Sequence, residues 1–191
     1  MDALDGVEVR AFANAAAWES WLADNHGRGD GLWLKLAKRS SGIPSVTSDE
    51  VVDVGLCYGW VSGQRKPLDE QWYLQKYVPR RARSLWSRVN VDKVEVLLAA
   101  RRMREPGMAE VRAAQEDGRW AAAYESQKRA KVPTAVVAAL EGDTHAKAAF
   151  ESLDRTRQYR LYLPVLQATS ADARAARVME LVALLRESAG T

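Results

Sequence analysis

The chain of 191 residues holds a single cysteine and two histidines, and these scarcities exclude several chemistries at once. One cysteine, Cys57, cannot form an internal disulfide, so the fold must rest on its own core, and a reducing compartment is the expectation. Cys57 lies in an apolar run and reads as a small buried hydrophobe. His26 and His145 are far apart and lack cysteine or histidine neighbours at metal-ligand spacing, so no zinc site is expected and no cofactor is called for. The same shortage argues against a Cys–His pair or a Ser–His–Asp triad. No run approaches the ~20 apolar residues of a membrane span, and the N-terminal MDALDGVEVRAF lacks the apolar centre of a signal peptide. A cytoplasmic location without a membrane span follows as an expectation. No GxxxxGK[ST] or GxGxxG pattern specifies a nucleotide.

What the chain does have is concentrated. Residues 64–104 carry eleven Lys/Arg against four Asp/Glu, in a chain whose formal net charge is only +3. Three of the seven tryptophans, Trp60, Trp72 and Trp86, lie in or beside that stretch with Tyr58, Tyr73 and Tyr77. A basic, aromatic segment of this kind suits an anionic partner. Arginine grips carboxylate or phosphate with a planar fork, and aromatic faces add stacking and cation–π support. The candidate ligand-binding residues are therefore Trp60, Gln64, Arg65, Lys66, Tyr73, Gln75, Tyr77, Arg80, Arg81, Ser84, Trp86 and Asn90. The competing reading makes the tryptophans sheet core and the arginines a solvated face. Arg80 is expected at the surface, where its removal would cost little stability.

The local patterns define an order of elements. Residues 7–12 alternate as a half-buried strand, and Asn14 caps a helix with Trp18, Trp21 and Leu22 on one face, stopped by Gly27. Residues 31–36 read as a second strand. The loop 38–45 that follows is small, polar and basic, a possible anion-binding loop. Thr47 and Glu50 form a capping box for a helix over 48–58. Residues 60–62 and 71–78 then suggest an irregular hairpin. In its second strand Trp72, Leu74, Lys76 and Val78 are expected to face the core, and Tyr73, Gln75, Tyr77 and Pro79 a surface or pocket. Asn90 is read as the cap of a helix over 91–102, and Pro106-Gly107 as its break before a helix over 108–116. After a polar linker anchored by Trp120 and Tyr124, helices are expected over 134–140, 144–153, 155–168 and 172–187, with Pro164 kinking or ending the third and Ser170 capping the last. The fold class is α+β: a small, mainly antiparallel sheet packed by helices in residues 1–125, with a C-terminal helical module over 133–191.

Several short motifs in order resemble one family. They are Trp21-Leu22 with Asn25-His26, Leu32-Trp33-Leu34, Ser41-Gly42-Ile43-Pro44-Ser45-Val46-Thr47, Leu56-Cys57-Tyr58-Gly59-Trp60, Pro79-Arg80-Arg81, Ser84-x-Trp86-Ser87-x-x-Asn90, Gly118-x-Trp120 and a helical stretch over 174–185. Together they resemble the bacterial YdeI/OmpD-associated, or bacteriocin-protection, family. Ser62 departs from the acidic residue that family often carries there. The resemblance implies an antimicrobial-stress or protective role and an envelope-associated protein partner, without a defined reaction.

Three functional classes stay open on the residues. The first is binding of a small anionic molecule at the basic aromatic segment. The second is nucleic-acid binding through Arg80, Arg81, Arg83 and Arg88, which no helix-turn-helix, RNP or zinc-finger signature accompanies. The third is an enzyme doing acid–base chemistry on a carboxylated or phosphorylated molecule, with Tyr73 or Tyr77 as proton donor, Asp69 or Glu70 as base and Arg80 as clamp. No spacing singles out a reaction.

Overall fold

In the computed structural model, which describes residues 3–188, the chain divides into two compact units: Met1–Ser84 with Asp92–Glu116, and Leu85–Val91 with Asp117–Thr191. The α+β class holds: five strands form one mixed sheet and helices account for most of the rest.

The first unit opens with β1 (Ala3–Leu4) and β2 (Val7–Ala11), followed by α1 (Ala15–Asn25) and β3 (Leu32–Ala37). After a 3₁₀ turn at Arg39–Ser41 come α2 (Ser48–Cys57), β4 (Trp60–Pro67) and β5 (Trp72–Pro79). The sheet order is β1-β2-β3-β5-β4, antiparallel except where β2 runs parallel to β3. The parallel pair is what α1 makes possible, because parallel strands need a crossover rather than a tight turn. The caps match the sequence. Asn14 Oδ1 accepts from Ala17 N–H at 3.0 Å, and Thr47 and Glu50 complete a reciprocal capping box on α2.

Helices α1 and α2 cover the sheet face that carries Leu32, Leu34 and Leu36, all at most 1% exposed. The Trp18 indole N–H donates to the Val51 carbonyl, and its ring meets Trp60 and Tyr77 edge-on with centroids 6.0 and 6.1 Å away. Register puts Tyr77 opposite Leu32 and Tyr73 opposite Leu36, so the tyrosines of β5 lie on the helix-covered face. This corrects the expected facing of β5. Tyr77 is core, while Trp72, Lys76 and Val78 are half-buried on the other face, where Leu74 joins Trp33 and Val7 in a smaller cluster. Both faces of β5 carry aromatics, so alternation alone does not say which one the helices cover.

Two further helices, α3 (Arg88–Ala99) and α4 (Glu105–Glu116), depart from expectation at their starts. Asn90 lies inside α3, and Ser87 Oγ accepts its backbone N–H at 3.3 Å. Pro106 and Gly107 occupy the first turn of α4, where the missing proline N–H costs nothing. Gly107 sits there because the backbone of α2 passes close: a Cβ would fall 2.3 Å from the Cys57 carbonyl oxygen.

The second unit is helical: α5 (Thr134–Glu141), α6 (Thr144–Ser152), α7 (Arg155–Leu166) and α8 (Ala171–Ser188). Val136, Leu140, Phe150, Tyr162, Val165 and Leu181 form its core. Asp143 and Asp154 cap α6 and α7, and Ser170 Oγ accepts from Ala173 N–H at 3.1 Å at the start of α8. Pro164 stays within α7, two residues before its end. The 120–133 segment is anchored as its aromatics suggest. Trp120 packs on Trp86 at 4.9 Å, and Tyr124 bridges to Ser87.

Candidate functional site

Between β3 and α2 the chain turns through a basic loop and comes back to the sheet. Gly42 takes the left-handed conformation (φ +67°) that lets the 3₁₀ turn reverse, and Val46 N–H closes the loop on the Phe12 carbonyl at 3.1 Å. Across from this loop, on the neighbouring strands, the Arg65 guanidinium lies over the Tyr73 ring with its carbon 3.9 Å from the ring centre. A cleft of about 310 Å³ opens between the two, lined by Lys38, Arg39, Ser45, Ser48, Arg65 and Tyr73 among others. That volume is enough for a metabolite-sized ligand.

The charge balance of the cleft is cationic. Lys38, Arg39 and Arg65 line it against one carboxylate, Asp49, which has Lys93 at 3.7 Å. The neighbouring Glu50 carboxylate is turned to its own helix start. It accepts from the Thr47 N–H and hydroxyl at 2.8 Å each, and this holds its pKa below the usual carboxylate value. Lys38 is steered rather than neutralised, its ammonium donating to the Asp69 carbonyl at 2.7 Å. Neither Arg39 nor Arg65 makes an ion pair among the described residues.

Two other hollows are less suited to an anion. One, beside Trp21, is lined by Arg10 and Arg28, which are already paired with Glu8 at 2.6 and 2.9 Å. The other, in the second unit, is about 280 Å³ in volume, with Val137, Leu140 and Phe150 in its lining beside Glu141, Glu151 and Lys147.

Of the residues singled out in sequence, Arg65 and Tyr73 line the cleft. Gln75 supports it from behind, its amide donating to the carbonyls of Gly63 and Gln64 at 3.0 and 3.1 Å, where β4 bulges against β5. Gln64 itself is exposed. Trp60 is 1% exposed in the aromatic core, its indole N–H donating to the His26 carbonyl at 2.8 Å. Tyr77 is 2% exposed beside it, and burial pushes its phenol pKa upward. Lys66 lies on the other sheet face, paired with Asp5 at 2.8 Å. Arg81 and Ser84 close a short turn, with Ser84 Oγ accepting from Arg81 N–H at 3.1 Å. Arg80 is 7% exposed, not a surface residue, and its backbone N–H donates to the Gly59 carbonyl at 2.9 Å. Trp86 and Asn90 belong to the second unit.

Lys38, Arg39, Ser45 and Ser48 were absent from the set of residues singled out, although the 38–45 loop that holds the first three reads as an anion site in sequence. What joins them to Arg65 and Tyr73 is the register of β3, β5 and β4, a non-local fact.

The fold and this cleft define a two-unit α+β protein with a basic hollow at a loop beside a sheet. Residues 10–110, more than half of the chain, match the model of a domain of unknown function (DUF8412), and the chain belongs to that family. Residues 129–188 match the family described as bacteriocin-protection, YdeI or OmpD-associated, which supports the resemblance seen in sequence. The N-terminal motifs that carried part of that resemblance fall within the first match. No curated protein and no solved structure matches the chain.

Proposed function

We propose that this protein binds a small anionic molecule in the cleft between the 38–49 loop and Arg65, in an antimicrobial-stress or protective setting. The observation that carries the reading is the cleft's charge: three cations against one carboxylate, with the Arg65 guanidinium over the Tyr73 ring. A guanidinium held on a ring keeps its outer edge oriented for two parallel hydrogen bonds to a carboxylate or phosphate. The hydroxyl of Ser48 in the same lining adds a neutral donor. The protective setting rests on the match over residues 129–188.

A thermal-shift screen of the full chain against carboxylated and phosphorylated metabolites tests this. A ligand at a hundred times its dissociation constant adds ~2.7 kcal/mol, a rise of roughly 5–10 °C for a chain of this size. The rise is expected to vanish in Arg65→Ala and to shrink in Tyr73→Leu. No rise with any anion, or an equal rise in Arg65→Ala, would contradict it.

A further inference from the structure

The sheet face turned away from α1 and α2 has its own pattern. Trp33 and Lys35 on β3 lie opposite Lys76 and Leu74 on β5, and Leu74 is paired in turn with Lys66 on β4. The result is a checkerboard of indole rings and ammonium groups. Lys35 Nζ stands 4.6 Å from the Trp72 ring centre, and Lys66 and Lys76 stand 5.2 and 5.8 Å from that of Trp33. Lys35 thus covers part of the half-buried Trp72, while Lys66 and Lys76 lie against Trp33, which Val7 and Leu74 also bury. Among the described residues Lys35 and Lys76 make no ion pair, and the single pair of Lys66, to an exposed Asp5, is of a kind readily given up. Trp33 is 1% exposed, yet its indole N–H makes no hydrogen bond, an unusual state for a buried donor.

We propose that this face binds single-stranded nucleic acid. Each lysine stem is flexible, so its ammonium can swing from the ring to a phosphate, and at the half-buried Trp72 this frees the indole for a base to stack on. Residues two apart on a strand repeat at about 7 Å, so Trp72 and Lys76 on β5 stand about 14 Å apart on one face, a ring and a cation along an extended chain. An acidic polypeptide could meet the ammonium groups but offers no base to lay on Trp72. A duplex keeps the faces of its bases inside the stack, where the indoles cannot reach. The face is separate from the 38–49 cleft: Lys35, Lys66 and Lys76 point to the side of the sheet opposite Arg65 and Tyr73. The proposal therefore stands or falls independently of the small-anion reading.

The test is titration of the full chain with a ten-residue oligothymidylate, followed by indole fluorescence at several salt concentrations. Quenching is expected, with log K falling linearly in log salt. Each lost phosphate contact lowers that slope by about 0.7, so K35Q/K76Q is expected to flatten it by about 1.4. Trp72→Leu is expected to weaken binding by about five- to a hundredfold. Because K35Q/K76Q alters only half-exposed side chains, its result stands even if Trp72→Leu fails to fold. Absence of quenching at low salt, or a slope unchanged in K35Q/K76Q, would overturn the proposal. So would polyglutamate binding as tightly with the same lysine dependence, which would reassign the face to acidic polypeptides.

Discussion

Arg65 and Trp60 lie on the same strand, yet one orients charge at a cleft and the other fills the core, and their removal separates the two roles. Trp60→Ala is expected to cost ~3–5 kcal/mol in urea unfolding, since it empties a fully buried site and strands the His26 carbonyl. Arg65→Ala, at an exposed position, is expected to change stability by under about 0.5 kcal/mol. A large loss in Arg65→Ala would mean that the arginine is structural. Gly107 makes a sharper case. A methyl group there meets the backbone carbonyls of Cys57 and Leu56 at 2.3 and 2.6 Å, and neither can turn aside as a side chain would. Gly107→Ala is therefore expected to destabilise by about 1–3 kcal/mol, from overpacking rather than from backbone strain. Burial also pushes the Cys57 thiol up to about 11. The unfolded chain then loses its proton near pH 9 while the folded one keeps it, so the unfolded state binds fewer protons and stability falls as pH rises from about 9 toward 11. A thiol reagent at pH 8 is expected to label Cys57 only as fast as the protein opens; immediate labelling would contradict the burial.

The helices owe their starts to caps written locally in the sequence. Thr47→Ala breaks the box with Glu50 and is expected to cost ~1 kcal/mol. At acid pH the same logic acts through Glu50, Asp143 and Asp154. Each is held below its usual pKa, first by a backbone N–H: Thr47 for Glu50, Ala146 for Asp143 with Arg186 adding to it, and Arg157 for Asp154. Their contribution is full above about pH 4 and is lost as pH falls through the lowered folded values, because the unfolded chain takes up protons first. A circular-dichroism acid titration is expected to show helix loss shifted to higher pH in Thr47→Ala. The caps read in the sequence at Asn14, Thr47 and Ser170 were legible because each capping partner lies within three residues. Two errors of element placement, Asn90 as a cap and Pro106-Gly107 as a break, have the same local character, whereas the strand read over 60–62 runs on to Pro67. Each residue type also serves inside a first turn, and what decided the outcome was Ser87 for α3 and the close pass of α2 for Gly107.

At the scale of the molecule, the α+β class follows from period and turn chemistry, whereas the candidate site does not. A net +3 says little about where charge collects. The basic stretch over 64–104 is folded apart: Arg65 goes to the cleft, Lys66 and Lys76 to the opposite sheet face, Arg80 to a buried position and Lys93 to Asp53 at 2.7 Å. Strand alternation is what divides Arg65 from Lys66, since neighbours on a strand point to opposite sides. The basic loop over 38–45 was visible in sequence. Its partnership with Arg65 and Tyr73 depended on pairing β3 with β5 and β5 with β4, which a single sequence does not state.

The most direct test of the cleft is amide chemical-shift mapping of the ¹⁵N-labelled chain, titrated with whichever anion gives the largest thermal shift. Binding in the cleft predicts saturable shifts gathered at residues 38–49 with Arg65 and Tyr73. Saturable shifts confined to residues 80–90, or spread over the Lys35–Lys76 face alone, would contradict it.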